Sequence, residues 1–181
     1  IPTPDGLETT FATNHLAYFL LTNLLLDKLI STPESRVINV SSAAHQSARL
    51  DLDDLQLANK FSGYLAYANS KLANVLFSNE LARRLPEANP TVNSLHPGVV
   101  ATNIGGSLTS LFGFFFKVFS PFFKSPAKGA RTSMFLATSP SVAGVTGKYF
   151  ENEAEQAPSS VALDPEIAKR LFDISAGLTG V

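Results

Sequence analysis

Arg36-Val37-Ile38-Asn39-Val40-Ser41 is the stretch that decides the fold. It is short, rich in β-branched residues and nearly continuous in apolar character. Such a run suits a strand buried on both faces in a parallel sheet. Thr32-Pro33-Glu34-Ser35 before it is a turn. Thr91-Val92-Asn93-Ser94-Leu95-His96 reads as a second short strand, broken into a loop by Pro97-Gly98, and Gly147-Lys148-Tyr149-Phe150 as a third. Helical runs surround them. The first covers about Leu7 to Ile30, and its middle, Leu16-Ala17-Tyr18-Phe19-Leu20-Leu21, is apolar nearly all round, which predicts burial against a sheet. The second covers about Tyr64 to Leu85. There Leu72, Val75, Leu76, Asn79 and Ala82 or Arg83 step at helical spacing, and Pro86 ends the run. A third helix is expected from Ala127 to Ala137. A fourth starts at Asp164-Pro165, with Asp as N-cap and Pro at the first helical position, and its apolar face is Ile167, Leu171, Phe172 and Ile174. Helices alternating with strands predict an α/β domain with a parallel sheet and right-handed crossovers.

The bulk composition narrows the function classes. A chain of 181 residues is long enough for one domain with a real core. Hydrophobic content of 45% and charged content of 16% place it among globular chains rather than disordered ones. A net charge of -1 offers no basic surface, so no nucleic-acid partner is expected. The absence of cysteine excludes a disulfide framework, a Cys-based zinc site and a Cys nucleophile. His15, His45 and His96 form no metal-ligand pattern with nearby carboxylates; they read as structural, and no metal is expected. Residue 1 is Ile and the single methionine is Met134, so a cut chain or a piece of a longer one is expected.

In open α/β sheets, ligands bind beyond the carboxyl ends of the strands. Ser41-Ser42 ends the first strand, Pro97-Gly98 ends the second, and Tyr67 and Lys71 open the helix between them. Tyr67 and Lys71 stand one helical turn apart, on one face. Free tyrosine and free lysine have pKa values of about 10 and 10.4. A cation beside a phenol favours the phenolate, which suits proton transfer at a carbonyl. By itself the pair reads better as a surface tyrosine with a solvated lysine; convergence with two strand ends favours a site. Ser42 also reads as a helix or turn cap, Asn14 as a cap or a partner for backbone groups, and Thr102 as the start of a further helix. Asn69 and Ser70 read as solvent-facing or packing, Tyr64 as packing, and Glu151, Glu153 and Glu155 as a solvated loop. The polar connection 43–63 is long enough to be functional. No Gly-x-Ser-x-Gly elbow surrounds Ser42, which excludes a serine hydrolase of that kind. Seven of the 14 phenylalanines lie between Phe112 and Phe123, interrupted by Lys117 and Pro121. That run is too broken to span a membrane. It reads as a greasy substrate lid over about 104–126, as a surface grazing lipid, or as core.

Four segments taken in order carry a resemblance: Asn14-His15-Leu16, Val37-Ile38-Asn39-Val40-Ser41-Ser42, Tyr67-Ala68-Asn69-Ser70-Lys71-Leu72-Ala73-Asn74 and His96-Pro97-Gly98-Val99-Val100-Ala101-Thr102. Together they resemble the short-chain dehydrogenase/reductase superfamily. Asp5-Gly6-Leu7-Glu8, Phe19-Leu20-Leu21-Thr22 and Ser70-Lys71-Leu72-Ala73-Asn74 are most similar to its retinol dehydrogenase and WW-domain-containing oxidoreductase branch. The resemblance runs from about Asp5 to Thr102 and is loose from Asn103 onward. It implies the C-terminal portion of a Rossmann-like, doubly wound parallel sheet in three αβα layers, with the N-terminal strands missing: a single partial domain over 1–181. No Gly-x-x-x-Gly-x-Gly turn and no Asn-Asn-Ala-Gly segment is present.

The resemblance implies roles residue by residue. Tyr67 would be the general acid/base. Lys71 would favour its ionised form and hydrogen-bond the nicotinamide ribose. Ser42 would hydrogen-bond the substrate oxygen as charge develops. Asn14 would hold, with Lys71, a water for proton relay. Pro97, Gly98, Val100 and Thr102 would cradle the nicotinamide. The implied cofactor is NADP or NAD, and the implied function is interconversion of an alcohol and a carbonyl, as part of a longer enzyme. The Phe cluster favours a small apolar substrate such as a retinoid, steroid or lipid-derived alcohol, and a peripheral membrane contact. Pairing of helices like 14–30 and 64–85 in this superfamily implies a homodimer. The alternative is a truncated, non-catalytic interaction or scaffold protein.

Overall fold

A computed structural model describes residues 2–85, 89–98 and 125–181. The two β-branched runs form the strands β1 (Arg36–Val40) and β2 (Thr91–His96), paired in parallel from Arg36 opposite Thr91 to Val40 opposite Leu95. All six residues of β2 are buried, as a central parallel strand requires. β3 (Tyr149–Glu151) adds to β2 in parallel. A fourth strand, β4 (Ala154–Gln156), returns antiparallel to β3 and completes the order β1-β2-β3-β4. The sequence reading had three strands and treated Glu151, Glu153 and Glu155 as a solvated loop; they belong to this hairpin. Asn152 and Glu153 turn it with φ of 53° and 63°, the left-handed pair that a two-residue hairpin needs. Ala154, Glu155 and Gln156 are all exposed, so β4 carries no apolar alternation that would have announced it.

The first helical run is not one helix. It divides into α1 (Thr9–Phe11), a π-helical turn (Ala12–Leu16), α2 (Ala17–Leu24) and α3 (Leu26–Ile30). Phe19, Leu26 and Leu29 join Val37 and Val92 of the strands in one apolar cluster, as the apolar middle predicts, and the run also packs on α4 (Gly63–Arg84) and on the last helix. Phe19 lies against Phe77 and Phe172, while Leu21, Leu24 and Leu25 remain exposed. The two C-terminal helices match expectation closely: α5 (Pro126–Thr138) and α6 (Pro165–Thr179). The Asp164 carboxylate accepts from the Glu166 and Ile167 N–H groups, and Gly180 at φ 75° closes the C-terminus.

These elements form three layers. α4 covers one face of the sheet, where Val37, Val92, Phe77 and Leu81 pack together. α5 lies over the other, where Leu95, Leu136 and Phe150 meet Ile38 and Val40. α6 and the N-terminal helices pack against α4 on its own face of the sheet, so α4 is enclosed. Leu72, Val75, Leu76 and Phe77 are no more than 1% exposed. Burying each such side chain contributes roughly 1.5–3 kcal/mol. Among the described residues no helix is long and apolar enough to cross a membrane.

Candidate functional site

The carboxyl end of β1 meets the second and third turns of α4. Lys71 is 8% exposed, and its Nζ donates to the Val40 carbonyl at 3.2 Å. The same carbonyl accepts from Asn74 Nδ2 at 3.2 Å. Nζ lies 5.7 Å from the centre of the Tyr67 ring and 6.0 Å from that of Tyr18. Two aromatic faces and a carbonyl are attractive to a cation. Burial nonetheless pushes the Lys71 ammonium below the ordinary lysine range, because the protein replaces its water incompletely. Tyr67 is 38% exposed, and its hydroxyl has no hydrogen-bond partner among the described residues. One helical face therefore does carry both groups. Tyr18 escaped the sequence reading: it sits in an apolar run, and only tertiary packing brings it to Lys71.

Ser41 and Ser42 divide their work. The Ser41 hydroxyl is buried and donates to the Lys71 carbonyl at 2.7 Å, locking strand to helix. Ser42 is half-buried, and its Oγ accepts from Ala44 N–H at 3.2 Å, capping the short 3-10 turn Ala43–Ser47. The cap uses the oxygen only. The hydroxyl hydrogen has no acceptor among the described residues, so capping and donation to a ligand are compatible.

Asn14 lies in the π-helical turn, a distortion that often marks functional positions. Its Nδ2 donates to Ser70 Oγ at 3.1 Å, and Ser70 donates to the Tyr67 carbonyl at 2.7 Å. The adjacent His15 is fully buried between Asn74 (3.3 Å) and Ser175 (2.9 Å). Desolvation pulls its pKa down to about 4, so it is neutral.

The connection after Ser42 is pinned to α4. Asn69 Oδ1 accepts from Arg49 N–H at 2.9 Å, and its Nδ2 donates to the Arg49 carbonyl at 3.1 Å. Tyr64 is exposed rather than packed, and its hydroxyl meets Ser47 Oγ at 2.7 Å. Asn69 and Ser70 are thus buried and bonded, not solvent-facing.

Pro97 and Gly98 leave β2 half-buried beside the β1 end. Gly98 takes φ 86°, where a side chain would be strained, and donates its N–H to His96 Nδ1 at 3.3 Å. Val100 and Thr102, and the expected lid up to residue 124, lie outside the described residues. No group of side chains that could hold a metal occurs among the described residues. A groove lined by Ile30, Glu34, Arg36, Asn89 and Thr91 opens at the starts of the strands, the end away from this constellation.

Comparison with known proteins bears on this geometry. The short chain dehydrogenase family profile matches residues 2–110. Retinol dehydrogenase 14 of Homo sapiens is 45% identical over 99% of this chain and 54% of its own length. Retinol dehydrogenase 13 of Homo sapiens is 46% identical over 99% and 56%. Short-chain dehydrogenase TIC 32 B, chloroplastic, of Brassica napus is 40% identical over 96% and 58%. The chain thus spans little more than half the length of these relatives. A crystal structure of an uncharacterized protein from Mycobacterium Paratuberculosis superposes with a TM-score of 0.74 at 33% identity, over 99% of this chain and 61% of that one. The Carbonyl reductase Sniffer of D. melanogaster shares the fold, with a TM-score of 0.55 at 20% identity over 88% and 58%. The sheet is the C-terminal part of a Rossmann-like fold, and the chain belongs to the short chain dehydrogenase family.

Proposed function

We propose that this chain is the catalytic portion of a longer NAD(P)-dependent oxidoreductase that interconverts an alcohol and a carbonyl. The observation that carries the reading is Lys71, buried without a carboxylate partner among the described residues, held by a strand-end carbonyl and flanked by the Tyr67 ring. A buried amine is costly to keep, and such costs concentrate at working sites.

When bound, the nicotinamide supplies or accepts the hydride. The chain's own residues handle protons and orientation. An ammonium has three donors, and Lys71 uses one on Val40. The remaining N–H groups would meet the nicotinamide ribose, which is the same in NAD and NADP. Tyr67 would give its hydroxyl proton to the carbonyl oxygen, or take one from the alcohol. Ser42, held by its cap, would donate its hydroxyl hydrogen to the same oxygen. Asn14 would steady the Tyr67 turn through Ser70 and join Lys71 in holding a relay water. Pro97 and Gly98 would form the near wall of the nicotinamide pocket, with Val100 and Thr102 continuing it.

The seven-phenylalanine segment supports a small apolar substrate and a grazing contact with membrane, and the exposed Leu21, Leu24 and Leu25 support a homodimer. The second reading is an interaction or scaffold protein. The test is turnover by the chain joined to its upstream sequence, with either dinucleotide, against retinal and small polar ketones. Faster reaction of the polar ketones defeats the apolar assignment. No turnover with any carbonyl or alcohol leaves the scaffold reading.

A further inference from the structure

His45 follows Ser42 by one turn and is 1% exposed. Its Nδ1 lies 2.7 Å from the Ser42 carbonyl oxygen, and its Nε2 lies 3.1 Å from the Ser159 backbone nitrogen. A backbone N–H can only donate, so Nε2 is the acceptor and carries no hydrogen. A carbonyl can only accept, so Nδ1 carries the hydrogen and donates it. The tautomer is therefore fixed from two sides, by the Ser42 carbonyl and by a residue far along the chain. The Tyr149 ring, 4.9 Å away centre to centre, covers the imidazole.

We propose that His45 is a positioning residue for Ser42, with its ring held in place and in tautomer jointly by the Ser42 carbonyl and the main chain at Ser159. The proposal rests on the role given to Ser42 in the proposed reaction. Ser42 sits in extended backbone, φ -154° and ψ 155°, where strand gives way to the 3-10 turn. Such short turns are weakly held by their own hydrogen bonds. His45 doubles the hold: its N–H donates to the Ser42 carbonyl at 3.0 Å, and its Nδ1–H donates to the same oxygen. With that oxygen fixed, the peptide plane after Ser42 is fixed, which steadies the turn whose next N–H, that of Ala44, aims Oγ. Ser159 lies beyond the residues matched by the family profile. The C-terminal segment thus reaches the reacting serine through one imidazole.

Ser159 allows a backbone edit. Its φ is -60°, which proline adopts without strain, and its hydroxyl has no partner among the described residues. Ser159→Pro deletes the N–H that holds Nε2 as an acceptor. Two further variants separate the bonds of His45. His45→Asn puts an amide N–H near the Nδ1 position, facing Ser42. His45→Gln puts an amide oxygen near the Nε2 position, facing Ser159. Both lose the ring on Tyr149.

In the enzyme joined to its upstream sequence, Ser159→Pro and His45→Gln should each lower kcat by roughly tenfold with dinucleotide Kd unchanged, the scale of a small misplacement of a reacting group. His45→Asn should turn over at least ~3-fold faster than His45→Gln, although both lose similar thermal stability. Equal losses in the two His45 variants, or an unchanged kcat in Ser159→Pro, overturn the proposal. Long-range 1H–15N NMR of the same protein joined to its upstream sequence gives a readout free of turnover. It should find His45 protonated at Nδ1 in the wild type, with a larger Nε2-protonated fraction in Ser159→Pro, where only the Ser42 carbonyl still selects Nδ1; protonation at Nε2 in the wild type overturns the idea even where the His45 variants fail to fold. Unchanged turnover in Ser42→Ala would instead strike the proposed reaction and leave the tautomer result standing.

Discussion

In α6, Ala168, Leu171 and Ser175 face inward while Glu166, Lys169 and Arg170 are exposed, the ordinary division of a surface helix. Beside it, α4 buries every residue from Ala68 to Leu81, including Asn69, Ser70, Lys71, Asn74, Ser78, Asn79 and Glu80. Each of those polar side chains has a partner. Asn79 Nδ2 donates to the Ala162 carbonyl at 2.8 Å, Ser78 links Asn39 to the Asn74 carbonyl, and Glu80 holds Arg83 and Arg84. A buried polar group left unpaired costs about 1–3 kcal/mol, so these partners allow α4 one rotation and one register. The helix held in a single setting is the one that carries Tyr67 and Lys71. α6 is fastened mainly by apolar packing and its caps, with fewer polar ties, among them His15 on Ser175 and Arg84 on Asp173.

The largest expected effect is on chemistry alone. Tyr67→Phe in the complete enzyme should lower turnover by roughly 10²-fold or more, with cofactor affinity and thermal stability nearly unchanged. A parallel loss of stability would mean the hydroxyl is built into the helix and would break the contrast. Lys71→Ala should weaken both turnover and dinucleotide binding, and equilibrium titration separates the two. Next comes packing. Leu76→Ala, at a fully buried position of α4, should cost about 2–5 kcal/mol in urea unfolding.

A smaller effect comes from acid, through His15, which touches both α4 and α6. Its pKa falls from 6.5 to about 4 on folding. The unfolded chain therefore binds the proton first, and stability falls as pH drops from about 6.5 toward 4, while above 6.5 this contribution is constant. His45, also lowered by burial, acts in the same direction. His15→Asn should flatten the dependence in unfolding measured between pH 7 and 4.5. The smallest change is Asp164→Ala, which removes the α6 cap and should cost about 1 kcal/mol. A cost as large as that of Leu76→Ala would remove the distinction between the two helices.

The same contrast explains what the sequence disclosed. β1, β2 and α6 were readable because β-branched runs, an Asp-Pro start and an apolar stripe are local signals. The limits of α4 were readable from Pro86 and periodic leucines, but not its enclosure, since Asn74 and Ser78 look like surface residues until their partners are known. The π-helical turn at Ala12–Leu16 has no Gly or Pro to mark it. β4 stayed hidden because exposed Glu155 and Gln156 carry no burial signal. Tyr67 and Lys71 were legible from a spacing; Tyr18 and Ser159 were not, because each reaches the site from far along the chain.

Lys71 and Asn74 both hang on the oxygen of residue 40, which belongs to the main chain. No side-chain replacement at position 40 removes that oxygen as long as the strand persists. Valine there can drift to isoleucine or threonine without loosening the amine. The anchor is thereby shielded from point mutation, and its upkeep passes to whatever keeps β1 paired to β2.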